Sequence, residues 1–279
     1  MAIIQGNAKK STSAGGFYPR VINGSLRFND DDSAYLSWTP DSAGNRKTWT
    51  WSGWVKRGNL GIDNYIWHGG EPAVGGVNLA FKFDSGDTLT VYGFRPAVAS
   101  DVIVTTSQVF RDPSAWYHLV LVWDTTEATN TNRVKIWVNG NLVTSYGTTT
   151  YPSLNYDGGI GQTFEHHVGS YVGANYLDGY MADTYFIDGQ ALSADDFGET
   201  KNGVWVAKDY EGTFGTNNNS FHLTFEDDTE VEAFNTVLYR GNGGTQSITG
   251  MGFQPDLVWI KCRSTSYHPM LTDSVRGAG

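Results

Sequence analysis

Apolar and polar positions alternate with a period of two along most of this chain, the spacing of half-buried β-strands. From Trp116 to Val143 the sequence reads WYHLVLVWDTTEATNTNRVKIWVNGNLV. Two apolar runs are joined by a polar loop, and the second meets a third across Asn139-Gly140. Asn-Gly between β-formers predicts a hairpin, because both residues tolerate the positive φ of a type I′ turn. In TWTWSGWVKR, Trp49, Trp51 and Val55 share one face, while Thr48, Thr50, Ser52 and Trp54 take the other. Val77, Leu79, Phe81 and Phe83 repeat the pattern up to the turn Asp84-Ser85-Gly86-Asp87, and Leu89 and Val91 return from it. Val102 to Val109 is a β-branched run. LVLVWD is apolar on both faces, which predicts a strand covered on both sides.

Residues 1–22 are polar and glycine-containing and read as an N-terminal arm, in which Phe17-Tyr18-Pro19 either docks on a neighbour or frays. Residues 23–232 read as one β-sandwich. Within it, Tyr171 to Ile187 predicts two short strands, and Ser220 to Phe225 a closing strand. Helix signal is confined to Ala191–Phe197, where Ser193 is placed to cap a single turn containing Asp195 and Asp196. After the acidic stretch Glu226 to Glu232 the texture restarts, and 233–279 reads as the start of a second, incomplete β unit.

The 279 residues include ten Trp and fifteen Tyr, enough to fill a large core despite 34 glycines. Only 17% of residues are charged, which fits strands and Gly/Asn/Ser turns better than helices with solvated faces. A net charge of −10 argues against a nucleic-acid partner, which requires clustered Lys and Arg. The one cysteine, Cys262, excludes an internal disulfide; its neighbours Lys261 and Arg263 could lower its pKa, but without a partner base it reads rather as a half-buried structural thiol. The first residues contain no apolar segment of signal-peptide or membrane-spanning length, so membrane insertion is not expected. Asn23-Gly-Ser25 and Asn218-Asn-Ser220 match a glycosylation pattern with no export signal behind it.

The order Ser25-Leu-Arg-Phe28, Trp51-Ser-Gly-Trp54-Val-Lys56, Trp116-Tyr-His118 and Lys135-Ile-Trp-Val-Asn-Gly140 resembles laminin-G-like, concanavalin A-like domains. Val168-Gly169, Leu177-Asp-Gly179, Met181-Ala-Asp183 and Ile187-Asp-Gly-Gln-Ala-Leu-Ser193 extend the likeness. Taken with FNDDDSAYLS, NRKTWTWSGWVKRG and FIDGQAL, the chain is similar to a version found in virion proteins of tailed, marine-type bacteriophages. Gly252-Phe-Gln-Pro-Asp-Leu-Val-Trp-Ile-Lys261 resembles the opening of a companion domain. The resemblance implies an all-β, antiparallel jelly-roll sandwich. It also implies a non-enzymatic tail fibre, head fibre or baseplate appendage in the virion, with other virion proteins as partners, a homotrimeric assembly and a host-surface glycan as possible ligand. A stand-alone lectin and a glycan depolymerase are the rival readings.

Candidate chemistry is sparse. Glu226-Asp-Asp228-Thr-Glu230 has the E-x-D-x-E form, and period two puts alternate carboxylates about 6–7 Å apart on one face, a separation suited to glycoside hydrolysis. The intervening Asp227 and Thr229 are polar, so the other face has nothing to bury, and no catalytic residue is assigned. His166 and His167 are neighbours on a strand and point to opposite faces, which separates them as ligands for one metal. Asn29, Asp30 and Asp32 offer oxygen ligands for calcium or form a solvated turn; no other cofactor is expected. For glycan stacking the candidates are Trp54, Tyr171, Tyr176 and Tyr180, set against core packing for any one of them.

Overall fold

The computed structural model describes residues 18, 20–71, 76–95, 101–215, 219–226, 236–249 and 255–274. It divides into two compact units, 1–226 and 227–279.

The first unit is a sandwich of two seven-stranded antiparallel sheets. The first sheet runs Leu26–Phe28, Gly179–Asp188, Thr48–Arg57, Tyr117–Asp124, Val134–Val138, Asn141–Leu142, and Phe221–Leu223 also pairs with Gly179–Asp188. The second runs Tyr146–Thr150, Val102–Val109, Thr88–Phe94, Asn78–Phe83, Asn64–Gly70, His166–Val168, Leu36–Trp38. Side chains that alternate inward fill the space between them. Trp49, Trp51, Val55, Leu119, Leu121, Trp123 and Ile136 come from one sheet and Trp67, Leu79, Phe81, Phe83, Val91 and Val104 from the other. Stacked indoles (Trp49 on Trp123, centroids 6.1 Å apart) and an edge-on Trp51–Phe81 pair give this core its aromatic character.

The Asn139-Gly140 turn has φ of 48° and 79°, the left-handed pair a two-residue hairpin needs, and sets Asn141 opposite Val138. LVLVWD is buried on both faces because a further layer covers the first sheet. Its outward Val120 and Val122 pack with Tyr185, Ile187, Ala194 and Phe197, and Trp137, Leu192, Trp205 and Tyr210 close the cluster. That layer is carried by a 3₁₀ turn, Ala194–Asp196, and the hairpin Gly198–Lys201/Val204–Ala207. The turn is held by the backbone N–H and hydroxyl of Ser193 donating to Asp196 at 2.7 and 3.0 Å.

Tyr171 to Ile187 departs from the expected two short strands. Gly169, Val172, Gly173 and Asn175 all have positive φ, which makes 169–177 a loop, and one ten-residue strand, Gly179–Asp188, follows it. That strand is interrupted at Asp183 (φ 48°), where its register against Thr48–Arg57 shifts. Asp183 is buried and accepts from Arg20 at 2.8 Å and His222 at 2.7 Å, and the His222 ring lies flat on Tyr185. Arg20, at the end of the expected arm, is thereby tied to the sandwich. Phe17, Pro19 and Asn218 lie outside the described residues.

The second unit contains the antiparallel pair Leu257–Ile260/Met270–Asp273, closed by Ser274 N–H donating to the Asp256 carbonyl at 2.8 Å. Gly252, Phe253 and Gln254 lie outside the described residues. Cys262 sits beyond the first of these strands, its thiol lowered to about 6 by hydrogen bonding with Ser264 and Thr265.

Candidate ligand-binding face

Because Leu79, Phe81 and Phe83 point into the core, Ala80 and Lys82 must face outward on the second sheet. Pairing then fixes what stands beside them. One cross-strand row reads Ser37, His167, His68, Ala80, Tyr92, Ile103. Tyr65, opposite Lys82, and Phe94, opposite Asn78, flank the row. Into this row the 169–177 loop inserts Tyr171, whose ring lies 4.7 Å from His68, 5.2 Å from Tyr65 and 5.8 Å from Phe94. Tyr176 of the same loop reaches Tyr35 at 6.0 Å, and Tyr35 stacks on His167 at 5.4 Å. His68 and His167 close the chain of rings at 5.8 Å.

The result is a continuous aromatic surface from Tyr176 through Tyr35, His167, His68 and Tyr171 to Tyr65, Phe94 and Tyr92. Its outer members are open: Tyr35 is 40% exposed, and Tyr92, Phe94, Tyr171 and Tyr176 are half-buried. Lys82 lies over the Tyr65 ring at 5.0 Å and pairs with Asp63. Burial beneath this layer pushes His68 down to about 3, with the charge of His167 adding to the effect, and holds His167 below its ordinary value. Burial also raises the Tyr171 phenol, so the face carries neutral rings with polar edges.

The four residues expected to stack on sugars separate. Tyr171 and Tyr176 belong to this surface. Trp54 and Tyr180 sit on the opposite side of the sandwich, on the outer face of the first sheet. There Trp54 packs against His118 (5.0 Å) and lines a groove of about 540 Å³ with Trp116, Trp205 and residues 20–25. Tyr180 is 37% exposed beside Arg27. His118 is a buried structural group. Trp205 Nε1–H donates to its Nδ1 at 3.0 Å, so its Nε2 carries the proton and donates to Ser52 at 3.0 Å. Burial lowers it to about 3.

The residues considered for calcium hydrogen-bond within their turn and to Asn59. Asn29 donates to Asp32, the Asp31 N–H and Asn59 donate to Asp30, and among the described residues no three His, Cys, Asp or Glu side chains are grouped to hold a metal. Of the acidic E-x-D-x-E run only Glu226 is described. It is exposed and accepts from Asn23 at 3.1 Å, and Asp227, Asp228, Thr229 and Glu230 lie outside the described residues. His166 and His167 divide as their spacing predicts. His166 turns inward to Trp38 and Trp67, donates to the Phe164 carbonyl and accepts from Gly161 N–H, and burial lowers it to about 4.

Residues 30–197 match the laminin G-type family described as the concanavalin A-like lectin/glucanases superfamily, and residues 229–279 match a domain of unknown function, DUF7483. The chain belongs to the concanavalin A-like lectin/glucanases superfamily. No match was found among curated proteins. Among solved structures, this superfamily member is similar to a heptameric SAP-like pentraxin from Limulus polyphemus, at 16% identity and TM-score 0.40 over 63% of this chain and 76% of that one. It is also similar to mouse laminin α1 domains LG4-5, at 10% identity and TM-score 0.43 over 64% and 45%. A third likeness is to tailspike protein 2 of the Escherichia coli O157:H7 bacteriophage CAB120, at 13% identity and TM-score 0.42 over 62% and 23%. The chain thus spans less than half of the last two, and at these values none of the three bears on what it does.

Proposed function

We propose that this protein is a non-catalytic, adhesive component of a bacteriophage particle, whose sandwich contacts host-surface glycan through the outer face of the second sheet. The observation that carries the glycan assignment is the continuous run of part-exposed rings around Tyr35, Tyr171 and Tyr176. Pyranose rings present apolar C–H faces and polar edges, and phenol and imidazole rings complement both without needing a deep cleft. The virion setting is supported by the ordered resemblance of FNDDDSAYLS, NRKTWTWSGWVKRG and FIDGQAL to phage appendage proteins.

A binding role suits the carboxylates around this face better than hydrolysis. Hydrolysis needs two carboxylates facing one bond across a gap of about 5–10 Å. Asp63 is taken by Lys82 and the Ser85 N–H, Asp84 by Gly86, Thr88 and Thr90, and Glu165 stands 3.6 Å from His167. The test is a titration of host-surface oligosaccharides by calorimetry. Tyr35→Ala and Tyr171→Ala are expected to weaken binding at least about tenfold, and Tyr180→Ala to leave it unchanged. Release of reducing ends from the same polysaccharide by purified protein would overturn the non-catalytic assignment.

A further inference from the structure

One end of the sandwich holds a second concavity, of about 400 Å³, lined by Arg95, Asp101, Asn130, Arg133, Tyr151 and Tyr156 among others. Its charge runs against that of the chain. Arg133 is 8% exposed and has no carboxylate within ion-pair distance among the described residues. Three backbone carbonyls hold it instead: Glu127 at 2.8 Å, Pro152 at 2.8 Å and Ala128 at 3.0 Å. Carbonyls orient a guanidinium and satisfy its N–H groups, yet they leave its full positive charge in place.

Arg95 adds a second cation. Its Nε stands 2.9 Å from Asp101 Oδ2, an oxygen that also accepts from the Tyr156 hydroxyl at 3.0 Å, and its guanidinium lies 5.9 Å over the Tyr156 ring. The lining thus carries two guanidinium groups and one carboxylate, the latter paired with Arg95, in a protein of net charge −10. A buried cation such as Arg133, with no carboxylate to neutralise it, is stabilised by an incoming anion, more strongly where water is excluded. Tyr151 and Tyr156 supply ring surface, and Phe94 of the aromatic face is the chain neighbour of Arg95.

We propose that this end pocket binds the carboxylate of an acidic sugar, a uronic acid unit of a glycan whose neutral units lie on the aromatic face. The inference deepens the glycan reading and rests on it. The planar fork of Arg95 matches a carboxylate, and the cavity has room for a sugar unit, more than an inorganic ion fills.

The probes are D-glucuronic acid and its uncharged counterpart glucuronamide, titrated into the full chain and followed by NMR chemical shifts. The acid is expected to bind at least tenfold more tightly than the amide, with shifts at Asn130, Tyr151 and Tyr156. Arg95→Gln, a change at a side chain 40% exposed, is expected to abolish the preference, and Tyr151→Phe to leave the fold intact while weakening the acid. Equal binding of acid and amide, or a preference that survives Arg95→Gln, overturns the inference while leaving neutral-glycan binding at Tyr35 and Tyr171 untouched. Displacement of the acid by equimolar inorganic sulfate overturns the sugar assignment. Loss of all neutral-glycan binding, with the acid preference intact, overturns the glycan reading instead.

Discussion

Lowering the pH from 7 to 5 should destabilise the sandwich steeply, and the three most deeply buried imidazoles set most of the effect, with His167 adding in the same direction. His68, His118 and His166 are each at most 1% exposed, and burial lowers them to about 3, 3 and 4 from an ordinary 6.5. Each folded-state value lies below that of the free side chain. The unfolded chain therefore takes up the proton first, and stability falls as the pH drops below 6.5. At pH 5 each histidine costs about 2 kcal/mol, or about 6 kcal/mol for the three, against a total domain stability of roughly 5–15 kcal/mol. Asp84 and Asp87 both lie below 3.8: burial acts to raise Asp84, but the Thr88 and Thr90 hydroxyls and the backbone donors outweigh it, and Asp87 is held down chiefly by the Gly61 N–H. What they contribute is present above 3.8 and lost only below it, so it does not enter the pH 5–7 window. The assay is urea unfolding followed by tryptophan fluorescence at half-unit pH steps. His118→Gln, which removes one of the three titrations, should cut the slope by about a third. A midpoint that does not move between pH 7 and pH 5 would refute the reasoning.

Two substitutions probe the frame that holds the site. Asp87 pairs with Arg57 at 3.1 Å and Arg111 at 2.8 Å, and Arg57 is fully buried against Phe83. Asp87→Asn keeps a residue suited to φ 65° but strips the buried guanidinium of its counter-charge, an expected loss of about 3–5 kcal/mol in urea unfolding. Gly140→Ala puts a methyl 2.3 Å from the Trp205 ring at φ 79°. Calorimetric melting should show it destabilised by about 1–3 kcal/mol, with Trp205 displaced from His118.

Much of the sandwich was legible because its strands obey strict local rules. Asn139-Gly140 announced its turn, Trp49, Trp51 and Val55 their shared face, and the doubly apolar LVLVWD the layer that buries Val120 and Val122. The aromatic face was half-legible. Tyr171 and Tyr176 were among the stacking candidates, but Tyr35, Tyr65, His68, Tyr92 and Phe94 come from three separate strands or their flanks and meet only through sheet register. Periodicity within one strand gives the two faces without saying which sheet a strand joins, and so Trp54 and Tyr180 were grouped with residues on the far side. Tyr171 to Ile187 read as two short strands, whereas the structure gives a loop over 169–177 and one long strand after it. Four positive-φ residues make the loop: Gly169, Gly173 and Asn175 are turn-formers that favour it, and Val172 adopts it against its β-branched preference. The uncompensated charge of Arg133 had no sequence signature at all, since backbone carbonyls from two loops hold it.

The measurement closest to the central claim is an amide NMR shift map of the protein with a bound neutral host oligosaccharide, one without uronic acid units. Shifts confined to residues 35–37, 65–68, 92–95 and 167–176 are the expected result, with the Trp54–Tyr180 side silent. Shifts centred on Trp54, Trp116 and Tyr180, with residues 167–176 unmoved, would contradict the account.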